Sequence, residues 1–140
     1  MIMDILKADK QFNPLPLDPE DEIFRNGIFH FNITKMRSYI RLHPDEFNIE
    51  NVLIRSLDPG LVRIDESHIH SVRSKEPIIL AEISPGRYNV IDGNHRLEKA
   101  RGSGQQEIKA YKLKARQHLA FLTTRSAYFS YIEYWNKSDD

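Results

Sequence analysis

The chain has 140 residues, enough for one domain with its own hydrophobic core and with little room for a second. Its 20 basic and 20 acidic residues cancel, so it offers no general attraction for the phosphates of a nucleic acid. The absence of cysteine excludes disulfides, thiolate nucleophiles and cysteine-bound zinc. No apolar run reaches the roughly 18 residues of a membrane-spanning helix. The opening Met1-Ile2-Met3-Asp4-Ile5-Leu6-Lys7 lacks the basic-then-apolar pattern of a secretory leader, so a cytoplasmic location is expected.

Residues 1–22 carry Pro14, Pro16 and Pro19 beside an acidic cluster, Asp18-Glu20-Asp21-Glu22. They read as an extended arm, with a short strand near residues 2–6, preceding a single domain over 23–140. Asn26-Gly27 signals a turn, and residues 28–33 a short strand. Thr34 is the expected cap of a helix over 35–42, where Met36, Tyr39 and Ile40 recur at helical spacing. Val52-Leu53-Ile54 fits either a strand or a buried helical turn. Residues 61–64 read as a strand and 65–72 as a short helix or loop. The clearest strand is 77–83, which Pro85-Gly86-Arg87 turns into a second over 88–91. A helix runs to Arg101 and stops at Gly102-Ser103-Gly104, and a further strand covers 107–113. From Lys114 the pattern is helical, with a break at Thr123-Thr124. The fold class is therefore α+β, a small mixed sheet with helices at one end and at the C-terminal side.

Asp92-Gly93-Asn94-His95-Arg96 carries the most chemical information. It joins an apolar strand to a helix start, where unpaired backbone N–H groups and the helix dipole favour an anion. Gly93 permits close backbone approach. Arg96 can hold two phosphate oxygens, and His95 can donate a hydrogen bond or move a proton near neutral pH. Asp92, at the strand's end, is placed to hold a metal ion or accept a proton. The alternative is a plain junction in which Asn94 is only an N-cap.

Over residues 88–104 this segment resembles the signature of the ParB/sulfiredoxin superfamily, in its Asp-Gly-x-His-Arg variant, which is similar to free-serine kinases and small ParB-like proteins. The resemblance extends more loosely over 77–113 and hardly touches the first sixty residues. It implies a ParB/sulfiredoxin-like fold and a turn that binds nucleotide phosphates through Gly93, Asn94, His95 and Arg96. Asp92 and His95 would be catalytic, with Asp92 as a magnesium ligand and ATP or another nucleotide as cofactor. A distant glutamate would activate the substrate hydroxyl, with Glu66, Glu82 and Glu22 as candidates and Glu66 preferred. Asn94 stands where sulfiredoxins carry their reacting cysteine, so sulfinic-acid reduction is excluded.

The leading expectation is thus a nucleotide- or phosphate-binding domain acting as a magnesium-dependent phosphotransferase or NTP hydrolase. A second is a DNA-associated ParB-like protein or nuclease, although the residues after Leu113 leave no room for a helix-turn-helix reader. A third is a non-enzymatic sensor or protein-interaction module, with a homo-oligomer or another protein as partner.

Three other features carry weaker signals. His68-Ile69-His70, with His95, has a spacing that zinc could use, against the simpler reading of surface histidines beside a turn. Arg101, Lys109, Lys112, Lys114 and Arg116 read as a solvated face rather than a basic patch. Tyr128, Phe129, Tyr131, Tyr134 and Trp135 read as core or an oligomer interface rather than a base-stacking surface.

Overall fold

The structure, a computed structural model, describes residues 5–57 and 76–138. The readings made for residues 61–64 and 65–72, and the candidates Glu66, His68 and His70, lie outside the described residues. Strands β1 (Ile23–Asn26) and β2 (Phe29–Asn32) form an antiparallel hairpin. Its turn holds Gly27 at φ 60°. Helix α1 (Ile33–Leu42) follows at once, capped by Asn32 rather than Thr34. The Asn32 side chain accepts the Lys35 N–H at 3.1 Å. Thr34 sits inside the first turn, where its hydroxyl accepts the Glu22 N–H at 2.7 Å and ties the arm to the helix.

Strands β3 (Ile49–Leu53), β4 (Ile78–Ser84), β5 (Arg87–Asp92) and β6 (Glu107–Leu113) form a four-stranded sheet in the order β3-β6-β4-β5. β4 and β6 are parallel and the other neighbours antiparallel, so the sheet is mixed and the domain α+β as expected. The ambiguous Val52-Leu53-Ile54 is divided: strand through Leu53, then a 3₁₀ turn over Ile54–Ser56. Helix α2 (Asn94–Gly102) follows β5, and α3 (Ala115–His118) and α4 (Arg125–Ser138) follow β6.

Strand β4 is central and covered on both faces, which explains its apolar run Ile78-Ile79-Leu80-Ala81. Ile78 and Leu80 face Leu97 and Ala100 of α2. Ile79, Ala81 and Ile83 face the larger core, with Phe31, Met36, Tyr131 and Trp135. Three layers result: α2, the sheet, then α1 and α4. Tyr128, Tyr131 and Trp135 are core residues.

The arm lies against α4. Leu6 exchanges hydrogen bonds with the Asn136 side chain at 2.9 and 3.0 Å, and Asp9 N–H donates to the Tyr128 hydroxyl at 2.8 Å. Phe12 stacks on Tyr128 with ring centroids 4.0 Å apart. Among the described arm residues there is no strand.

Below α4, His118 is completely buried, and its Nε2–H donates to the Glu82 carbonyl at 2.7 Å. The Tyr131 hydroxyl donates to the same carbonyl. Burial pushes the His118 imidazole down to about 4 and raises Tyr131. Between the ordinary imidazole value and about 4 the unfolded chain binds the proton and the folded one does not. Stability from this residue is therefore full above the ordinary value and is lost as pH falls through that window. Removing the titration with His118→Gln should make urea stability fall less steeply between pH 7 and 4.5 than in the parent. Parallel curves would refute a neutral buried His118.

Candidate functional site

β5 ends at Asp92, and the next residue, Gly93, takes the left-handed conformation (φ 95°) before α2 begins at Asn94. A side chain at 93 would be strained by that φ. It would also meet its neighbours: a Cβ there would lie 2.9 Å from Ile78 Cβ and 2.8 Å from Arg96 Nη2. The start of β4 thus packs directly on the backbone of the turn. α2 carries no side-chain cap. Asn94 is its first helical residue, with Nδ2 donating to the Val90 carbonyl at 3.3 Å.

Asp92 is buried; its carboxylate accepts a hydrogen bond from Nε of Arg37, on α1, and forms an ion pair with Nη2 of the same guanidinium. Arg96 Nη2 stands 3.7 Å from the same oxygen. Arg37 also pairs with Glu76, just before β4. Arg96 Nη1 donates to the backbone carbonyls of Glu76 and Pro77. Two guanidinium groups and two carboxylates therefore interlock, with formal charges that cancel. The network stitches α1, the β5–α2 turn and the entry to β4.

Arg37 is the residue that sequence reasoning missed, and a signal for it existed. It lies on the buried stripe of α1 with Ile33, Met36 and Ile40, where an arginine needs a buried carboxylate partner. His95 does not join the network; its Nδ1 is buried with no hydrogen-bond partner among the described residues. A cleft of about 140 Å³ adjoins, lined by Arg37, Ile40, Arg41, Glu76, Pro77 and Tyr111.

The other glutamate candidates are placed elsewhere. The Glu82 carboxylate accepts the N–H groups of Gly86 (3.1 Å) and Ala115 (3.4 Å), so it braces the β4–β5 turn and the start of α3. Glu22 lies next to β1, where its N–H meets Thr34.

Asp92 faces two guanidinium groups, and a magnesium ion there would sit against two positive charges. These surroundings do not fit a magnesium ligand. Among the described residues no three of His, Asp and Glu gather to hold a metal.

The basic residues that cluster in sequence divide across the sheet. Alternation along β6 sends Lys109 and Lys112 to opposite faces, and Lys112 lies over the Tyr88 ring at 4.7 Å. Arg101 pairs with Glu98 and donates to the Leu57 carbonyl at 3.0 Å. No helix of the described residues is long and apolar enough to cross a membrane. No family model, curated protein or solved structure matches the chain.

Proposed function

We propose that the chain is a nucleotide- or phosphate-binding domain of the ParB/sulfiredoxin kind, with its anion subsite between Arg37, Arg96 and the first turn of α2. The observation that carries this reading is the convergence of two guanidinium groups beside a helix N-terminus that has no side-chain cap, with a cleft adjoining. The Asp-Gly-x-His-Arg resemblance points to the same turn. Glu76 now supplies the anion that Arg37 meets there, and an incoming phosphate would take over that role. Phosphoryl transfer or NTP hydrolysis would be built on this binding, with His95 the residue at the turn able to move a proton.

Calorimetric titration with ATP and with inorganic phosphate tests the reading. The parent protein should bind, Arg96→Gln should weaken binding, and Glu76→Ala should tighten it by about tenfold by removing a competing carboxylate. Failure of both the parent and Glu76→Ala to bind any nucleotide or phosphate would overturn the proposal. Nuclease activity finds less support, because the basic residues following α2 do not share a face.

A further inference from the structure

Among the described residues strand β3 is an edge strand, bonded only to β6. The direction of its remaining backbone groups follows from one hydrogen bond. Ile54 N–H donates to the Gln106 carbonyl at 2.9 Å, next in register after Leu53↔Glu107. Residues of an antiparallel strand alternate between bonding to the neighbour and turning away from it. Glu50 and Val52 therefore bond β6, while Ile49, Asn51 and Leu53 turn their N–H and C=O groups to the open edge. Among the described residues these groups meet only the Ser56 hydroxyl, which donates to the Leu53 carbonyl at 2.6 Å and leaves it a second lone pair.

The same three residues share one face of the strand, and Ile49 and Leu53 are 52% and 43% exposed. Edge strands are usually guarded by charged side chains, proline or a bulge. β3, Ile-Glu-Asn-Val-Leu, has no proline and an unbroken register with β6, and its one charge, Glu50, lies on the face opposite Ile49 and Leu53.

From this geometry we infer that β3 is the self-association edge of the molecule, pairing antiparallel with β3 of a second copy about a two-fold axis at Asn51. The pattern is its own complement. Asn51 meets Asn51 of the second copy, and Ile49 meets Leu53 on either side, so each outward N–H finds an outward carbonyl. The two apolar side chains that stand in water become cross-strand pairs. Glu50 falls opposite Val52 of the second copy, so no like charges stand directly opposed. The backbone match would serve any extended strand; what favours a second copy is the side-chain match, with exposed Ile49 set against exposed Leu53 and no like charges opposed. A short strand pair buries less than the roughly 1,200 Å² typical of stable complexes, so the dimer is weak and concentration-dependent.

Sedimentation velocity from micromolar to millimolar protein tests it, using the full chain. The parent should pass from monomer to dimer. Asn51→Pro should raise the dissociation constant by about tenfold or more, because it removes an outward donor and introduces a ring at the interface. The N–H lost is not one that bonds β6, so the circular dichroism spectrum should be unchanged. Leu53→Lys should weaken the dimer independently. A parent that stays monomeric at millimolar concentration would overturn the inference and leave the edge to a partner of other sequence. A dimer indifferent to both substitutions would place the interface elsewhere and overturn it equally.

Discussion

Arg37→Met should lower the unfolding free energy by about 3–5 kcal/mol, the usual cost of leaving a buried charge without its partner. The methionine nearly preserves side-chain volume, so the loss reports the charge and its hydrogen bonds rather than a cavity. Asp92 is 6% exposed, and Arg37 meets it with two nitrogens. Arg96, 3.7 Å away and shared with two carbonyls, cannot replace that contact. Urea denaturation of Arg37→Met, Asp92→Asn and the double variant forms a cycle. The double variant should cost clearly less than the sum of the singles, because a neutral amide no longer requires a cation. Additive losses would show that the two groups are stabilised independently.

Gly93→Ala should cost about 3 kcal/mol, from backbone strain of about 1–3 kcal/mol and a comparable overpacking term. For a domain of this size that is a fall of about 10 °C in Tm by calorimetry. The two terms can be separated. Asparagine tolerates the left-handed region better than alanine, yet its Cβ meets Ile78 just as closely. Gly93→Asn should therefore remain strongly destabilising, and Gly93→Ala should cost less in an Ile78→Ala background than alone. A Gly93→Asn variant as stable as the parent would make φ the whole reason for the glycine.

The elements flanking Gly93 were legible because their signals are local. A strand-like apolar run, a glycine and a helical start are written within residues 88–101, and the observed β5 and α2 keep close to those bounds. The cap of α1 was less so, because Asn32 and Thr34 are both good cap residues. The choice between them depends on where the hairpin ends. From sequence Arg96 looks free for a ligand, because the Glu76 and Pro77 carbonyls that it meets lie about twenty residues earlier in an unrelated stretch. His118 carried no periodic signal at all, since α3 spans only four residues. Its burial comes from Phe31 and Tyr131, which sequence distance conceals.

The strand order also dictates a sequence of events during folding. β3 has no sheet partner until β6 exists, and Arg37 waits 55 residues for Asp92. The β4–β5 hairpin can close locally, but α1 has no buried carboxylate to receive its arginine until that hairpin brings Asp92 into place; Glu76, its other partner, is more exposed. Arg37 is therefore expected to stay hydrated through the early steps, its desolvation coming with completion of the fold. Mutating it should speed unfolding far more than it slows refolding, giving the native state its lifetime instead of its nucleus.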